Sequence, residues 1–357
     1  MSKTILFLGG GKDSIGIIDR ARQMGLTVAV MDYDHSCPGR RLADYFIWAS
    51  CYDIDEAIEG VELLFSQFGI MIDGVMCAGT DAPDVAAAIA DKYGLPGLSP
   101  RAAAISKDKI AQAHVFGLYF YKINTPNHTL GLLSARDLRK PIVVKPANSR
   151  GARGVSRVTR RGLLLAWWRA RRYSKSVIVQ EWIDGVQLSS ESIIIDGEVK
   201  WTAFAERNYS RLDEFAPYVI EDGSDMPPAA HGFEDKANVE LQKCATVLGI
   251  KNGTLKGDLV WDGENIWVIE VAARLSGGLF CSDMIPGCWG IDFVGNAIRL
   301  ALGEKPWKFA PRFRKYVCQR FAFPRRPTCH PERGEGVIAF GNSREDARRK
   351  AERMPIE

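Results

Sequence analysis

A chain of 357 residues is long for one compact domain and suits two or three. With 46% hydrophobic and 25% charged residues, its balance excludes disordered, collagen-like and low-complexity classes. The formal net charge of +4 is mild, and no apolar run approaches the ~20 residues of a membrane-spanning helix.

The opening, MSKTILFLGGGKDS, reaches its glycines after four apolar residues, which argues against a secretory signal. Over residues 1–100 short apolar runs alternate with helical patterns. TILFL leads into Gly9–Gly11 and a helix to Met24; LTVAVMDYD and DYFIWAS follow. A helix near 54–68, IMIDGVMCAG and the small-residue helix APDVAAAIADKYG complete the stretch. This alternation predicts a parallel sheet with crossover helices. A ligand crevice is expected beyond the strand C-termini, near Gly9–Gly11, Asp32 and Gly79-Thr80.

LPGLSP at 95–100 reads as a linker, and KDKIAQAHVFGLYF as a helix. KPIVVKPANSRGARGVSRV reads as strand, glycine-bearing loop and strand. GLLLAWWRARRY is an amphipathic helix with both tryptophans expected in the core. SVIVQEWIDG and LSSESIIIDGEVKWTAFA supply strands, the latter turning at Asp196-Gly197. Then come a helix at 236–250, a hairpin LKGDLVWDGENIWVIEVAARL turning near Asp262-Gly263, a helix at 290–302, and a closing strand and helix in GVIAFGNSREDARRKAERM. The expected class is α/β followed by α+β with antiparallel hairpins, without internal repeats.

The eight cysteines are scattered with no CxxC pair, fitting neither a disulfide framework nor zinc ligation; reduced thiols and a cytoplasmic location are expected. From Arg150 to Lys175 there are nine Lys or Arg and no acid. Such a run could face nucleic acid, a membrane surface, an anionic ligand or water. No aromatic-rich RNA signature or zinc-finger spacing accompanies it, so neither nucleic acid nor membrane is expected as a partner.

Asp258 and Glu270 lie symmetrically about position 264, inside the turn Asp262–Asn265. A symmetric register would set the two carboxylates opposite each other, roughly 5 Å apart at Cβ. Like charges so opposed are destabilising unless a cation sits between them, and two carboxylates suit Mg²⁺. A pair of solvated acids on an outward face is the competing reading. Arg274, four residues past Glu270 and followed by Leu275-Ser276-Gly277-Gly278, could clamp a carboxylate or a transferring phosphoryl group, or merely mark a strand exit.

Lys145 ends an apolar strand, where a buried ammonium needs an anion. Gly151 and Gly154 would let the following loop fold over phosphates, with Arg150 and Arg153 adding charge. The GK[ST] ending of a P-loop is missing. Alone, this stretch also reads as a basic surface hairpin. In VIVQEWIDG, Glu181 and Ile183 could line an adenine slot through their main chain.

In this order the elements resemble the ATP-grasp superfamily, over nearly the whole chain. The parts are KDK (Lys109, with Lys107 beside it), VVKPANSRGARGV, VIVQEWIDG and GTLKGDLVWDGENIWVIEVAARLSGG. The last is the most specific, looking like the E-x-N/A-x-R-LSGG signature of carboxylate–amine ligases. The resemblance implies a Rossmann-like pre-ATP-grasp domain over 1–100, a small lobe with the glycine-rich loop over 101–185, and a large lobe with the metal site over 186–357. It implies that Lys109 and Lys145 hold ATP phosphates under the loop 148–154, including Ser149, Gly151 and Gly154. Glu181 and Ile183 would frame adenine, Asp258 and Glu270 bind Mg²⁺ or Mn²⁺, Arg274 steady an acyl phosphate, and Arg207 supply a further cation. Two positions depart from the pattern. Ala272 stands where the family often has a metal-ligating Asn, and Gln187 where it has a ribose-binding Glu.

The implied reaction is ADP-forming: a substrate carboxylate takes the γ-phosphoryl group, and an amine displaces phosphate from the acyl phosphate. A small carboxylate, with an amino acid as the best guess, and an amine acceptor are the implied partners, and such ligases are often homodimers. Asp32, Asp34, Thr80 and the segment 206–226 are expected to shape the acceptor pocket. Rival readings are an AMP-forming pyrophosphatase, from the likeness of Gly9–Ser14 to an SGGxDS loop, a kinase on the same fold, and a non-catalytic nucleotide-binding regulator.

Overall fold

The computed structural model describes residues 2–116, 118, 120–125, 140–149, 151–322 and 336–354. Four parallel strands open the chain: β1 (Thr4–Leu8), β2 (Thr27–Met31), β3 (Tyr45–Ile47) and β4 (Gly74–Cys77), in the order β3-β2-β1-β4. β1 is buried along its length, and alternate residues feed two cores. Leu6 and Leu8 pack with the helices Ile54–Phe68 and Pro83–Tyr93. Ile5 and Phe7 pack with the helix Ile15–Gln23 and with Phe280, Phe293 and Ile298 from much later in the chain. A strand covered on both faces reads as an unbroken apolar run, as TILFL does.

The turn after β1 is tightly determined. Gly9 has φ +93°, and a Cβ there would lie 1.7 Å from Thr80 Oγ1. Its N–H donates to Met31 O at 2.9 Å. Replacing Gly9 by Ala is therefore expected to lower the unfolding free energy by about 2–3 kcal/mol. A urea melt of the variant with an unchanged midpoint would contradict this packing.

A second, antiparallel sheet comprises β5 (Tyr121–Ile123), β6 (Ile142–Pro146), β7 (Ser156–Val158) and β8 (Val177–Glu181), ordered β5-β8-β6-β7. The helix Leu163–Arg171 closes its core through Leu163, Ala166, Trp167 and Ala170. Trp167 is core, as expected. Trp168 is 56% exposed, because it falls on the outer face of the same helix.

Among the described residues the largest sheet has seven antiparallel strands. These are β9 (Val186–Ile195), β10 (Glu198–Asn208), β11 (Gly223–Met226), β12 (Gly253–Trp261), β13 (Ile266–Ala272), β14 (Tyr316–Phe321) and β15 (Gly336–Gly341), ordered β13-β12-β9-β10-β11-β14-β15. β11 and β14 are absent from the sequence reading. One face packs on the helix Glu234–Leu248 through Leu188, Ile194, Leu255, Leu259, Val268 and Val271. The other face turns toward the first sheet.

The helix read from 107 spans Lys109–Val115, and a helix absent from the sequence reading, Pro100–Lys107, precedes it; between them the Asp108 carboxylate caps Ile110 and Ala111. Both pack on the large sheet. Ala102 joins its core, Gln112 exchanges hydrogen bonds with Val271, and Ser106 Oγ accepts from Ala273 N at 2.8 Å. They thus belong to the large sheet although the expected small lobe begins at 101. No described helix is long and apolar enough to cross a membrane.

Candidate active site

The β12–β13 hairpin turns over Asp262–Asn265, where Asp262 Oδ1 accepts from Glu264 N and Asn265 N at 2.8 and 2.6 Å. Outward from it the pairs are Trp261↔Ile266, Val260↔Trp267 and Leu259↔Val268. That register would put Ile269 opposite Asp258. A β-bulge skips Ile269, so Glu270 becomes the partner of Asp258. The expected pairing is present, but through a bulge and not through a symmetric hairpin. The same bulge lets Val268 and Val271, three residues apart, both face the core.

Residues two apart on a strand, and residues directly opposite, share a face. One face of the sheet therefore holds two polar rows. The first is Ser189, Asp258 and Glu270; the second is Glu191, Lys256 and Ala272. Arg207, on β10, extends this floor. Above it opens a cavity of about 1800 Å³ that reaches the first-domain loops and the small sheet.

Of the residues singled out in the sequence, Lys109, Lys145, Ser149, Gly151, Glu181, Ile183, Gln187, Arg207, Asp258, Glu270 and Arg274 all line this cavity. Gly154 is not among the lining residues. With φ +77° and a would-be Cβ 2.7 Å from the Tyr173 ring, it seats the loop against its own sheet. Arg150 lies outside the described residues. Thr80 and the segment from Arg207 to Ser224 contribute to the lining, as expected. Asp32 and Asp34 do not. Asp32 accepts from Gly10 N at 2.8 Å and from Asp34 N at 2.9 Å, and Asp34 holds Ser36, so both carboxylates are spent on shaping loops.

Charge in the cavity is laid out in pairs. Lys109 Nζ lies 2.9 Å from Glu270 Oε1 and donates to Ser149 O at 2.8 Å, tying the glycine-rich loop to the metal-ligand candidate. Asp258 is met by Lys256 at 2.6 Å, Arg207 at 3.3 Å and the Ser189 hydroxyl at 3.4 Å. Burial pushes its pKa up, but the Lys256 and Arg207 charges outweigh this and hold the carboxyl well below the usual range. Arg207 also pairs with Glu221 at 2.8 Å. Arg274 pairs with Asp81 of the first domain at 2.9 Å and donates to Leu275 O.

Lys145 is 5% exposed and has no salt-bridge partner among the described residues. Burial lowers its pKa to about 8, against the pull of Glu270 and Asp258. A buried ammonium facing a cavity is a ready counter-ion for an anionic ligand. Glu191, fully buried, accepts from Ser276 N at 2.7 Å and leaves Oε2 without a partner; burial raises its pKa to about 7.

Among the described residues no group of three His, Cys, Asp or Glu could hold a metal ion. Asp258 and Glu270 thus offer a hard, two-carboxylate set that would need phosphate or water oxygens to complete it, which is how Mg²⁺ is commonly held. The donor set fits the ion.

The sequence reading missed Lys256, Ser189, Glu191 and Asp81, and covered Glu221 only within the segment 206–226. Lys256 carried a signal, the period of two that places it on the face of Asp258; Ser189 and Glu191 reach that face only through the pairing of β9 with β12. Asp81 and Glu221 lie outside the strands and carried none; only the tertiary fold brings them to Arg274 and Arg207.

A family model described as "ATP-grasp domain" matches residues 107–278. Human carnosine synthase 1 is 23% identical over 342 residues, covering 85% of this chain and 40% of that protein. A D-alanine–D-alanine ligase from Ectopseudomonas mendocina is 27% identical over 209 residues, covering 56% of this chain and 62% of the ligase. The chain thus spans less than two thirds of these relatives. Among solved structures, L-amino acid ligase from Bacillus licheniformis superposes with a TM-score of 0.77 at 21% identity, covering 98% and 96% of the two chains. The ADP complex of purK, N5-carboxyaminoimidazole ribonucleotide synthetase, gives 0.76 at 16%, covering 98% and 96%. At such identities the superpositions speak for the fold.

Proposed function

Starting from the ATP-grasp domain that this chain carries over residues 107–278, we propose that it is an ATP- and Mg²⁺-dependent ligase joining a small carboxylate to an amine. The observation that supports this best is the meeting of Asp258 and Glu270 on one sheet face, in the cavity that also holds Lys109, Lys145 and Arg274. The amide-forming relatives favour an amino acid as one substrate.

In this reading Lys109 and Lys145 bind the β- and γ-phosphates, and the loop 148–154 covers them. Ser149 O is already tethered to Lys109. Glu181 and Ile183, at and just past the end of β8, frame the adenine by main-chain groups, with Gln187 near the ribose. Asp258 and Glu270 would hold Mg²⁺, which supplies positive charge to the phosphoryl oxygens. The substrate carboxylate attacks the γ-phosphorus in line, giving an acyl phosphate and ADP. Arg274, oriented by Asp81, and Arg207, oriented by Glu221, stabilise the charge that develops there. The amine then attacks the carbonyl carbon, phosphate leaves, and the amine's proton passes to solvent or phosphate. No protein nucleophile is needed; positioning and exclusion of water carry the rate.

The chain incubated with ATP, Mg²⁺ and pairs of amino acids should release ADP and phosphate only when both substrates are present. AMP with pyrophosphate would replace this reading by the adenylating one. ADP release with a single substrate and a stable phosphorylated product would replace it by a kinase.

A further inference from the structure

The second polar row of the sheet, Glu191–Lys256–Ala272, holds one acid that the reaction above does not use. Glu191 lies on β9 between Ala203 of β10 and Lys256 of β12, and no part of it reaches solvent. It does not itself line the cavity. Its hydrogen bond from Ser276 N, at 2.7 Å to Oε1, ties the sheet to the loop that follows Arg274.

That loop, Ser276–Gly278, is a wall of the cavity. The wall is largely main chain and closes on the first domain, since a Cβ on Gly277 would lie 2.6 Å from Asp13 Oδ2. Three of its main-chain polar groups end on side chains. Ser276 N donates to Glu191, Ser276 O accepts from Cys281 Sγ at 3.4 Å, and Gly278 O accepts from Gln319 Nε2 at 2.6 Å. All three side chains are buried. The candidate nucleotide residues belong elsewhere: Lys145 is on β6, Ser149 and Gly151 follow it, and Glu181 ends β8. In the proposed reaction the wall is therefore left to the carboxylate and the amine.

We propose that Glu191 is a positioning residue for the joined substrates: it sets the Ser276–Gly278 wall against which the carboxylate and the amine meet, and takes no part in nucleotide binding. The inference rests on the ligase reading and adds to it a residue that touches neither substrate. A buried N–H stripped of its acceptor costs more than the hydrogen bond contributed. Without Glu191 the wall would shift until Ser276 N found another partner, and a displacement of about 1 Å costs roughly 10²-fold in rate.

The test compares Glu191→Gln, which keeps an oxygen for Ser276 N, with Glu191→Leu, which removes it at similar volume. ADP with Mg²⁺ probes the nucleotide side, and the standard amino acids, offered singly and in pairs, probe the other. Both variants should bind ADP within about twofold of the wild type. With the pair that best supports ADP release in the wild type, kcat/KM for each amino acid should fall about 10²-fold in the Leu variant and stay within about threefold in the Gln variant. Amide exchange over residues 275–281 of the free chain, read by mass spectrometry, should quicken about tenfold in the Leu variant alone. Unchanged kcat/KM or unchanged exchange in that variant overturns the role, and so does an equal loss of ADP affinity, which marks general packing. Should the Leu chain not fold, Glu191→Asp, one methylene shorter, is read by the same three measurements. If no pair of amino acids releases ADP from the wild type, the ligase reading falls and this role falls with it.

Discussion

Glu270→Gln is expected to abolish ADP formation, with a loss of about 10³-fold or more in kcat, since a divalent ion's charge is worth several kcal/mol at the transition state. The substitution keeps the shape of the side chain and removes its charge. Two interactions fail together: the anionic ligand on β13, and the ion pair that holds Lys109 at 2.9 Å. The fold should survive, because Glu270 is only partly buried and its neighbours Val268 and Val271 keep the core contact. A thermal melt near that of the wild type, together with lost turnover, would locate the defect in the site. Glu270→Asp should recover part of the activity, because charge matters more than reach. Full ADP release by the Gln variant would end the account of this carboxylate.

The first sheet, the two hairpins and the closing strand and helix were legible because each is local: apolar runs of the right length, bounded by turn residues. The pairing of Asp258 with Glu270 was legible for a reason that turned out to be incomplete. Symmetry about 264 pointed to the right partners, yet the turn register alone would have paired Asp258 with Ile269. Only the requirement that Val268 and Val271 both reach the core exposes the bulge, and that requirement is tertiary. The break at Asp108 is visible in retrospect as a cap residue in a helical run. Its consequence, that both helices lock onto β13 through Ser106 and Gln112, is not.

Of the residues expected to shape an acceptor pocket, Asp32 and Asp34 do not line the cavity. Asp32 stands at the end of a parallel strand, where crevices form, and reasoning from topology selects it. Its carboxylate instead satisfies the N–H groups of Gly10 and Asp34. Buried and half-buried loops need such partners, and a carboxylate at a strand end serves this need as readily as it serves a ligand. Asp81, one residue past Thr80, reaches the cavity and orients Arg274. Thr80 and Asp81 line the cavity, and Asp32 does not.

Lys145→Met should reduce kcat/KM for ATP by about 10²–10³-fold, the size of losing a charge-assisted contact of ~3 kcal/mol to a phosphate. The pH dependence separates this from simple misfolding. In the free protein, burial lowers the Lys145 pKa to about 8 from an unfolded value near 10.5. Between those limits the unfolded chain binds a proton that the native chain does not, so this residue makes stability rise with pH from about 8 to 10.5. Below 8 its burial penalty is constant and largest. Nucleotide binding runs the opposite way, because only the ammonium attracts phosphate: affinity for ATP should fall as pH climbs through 8. Lys145→Met removes both slopes, leaving a protein whose affinity is weak and flat over that range and whose apo melting point exceeds that of the wild type at neutral pH. Calorimetric titrations with ADP or a non-hydrolysable ATP analogue between pH 7 and 9.5 measure the first, and melts of the apo forms the second. A wild-type affinity that does not change through pH 8 would place the Lys145 ammonium away from the phosphates.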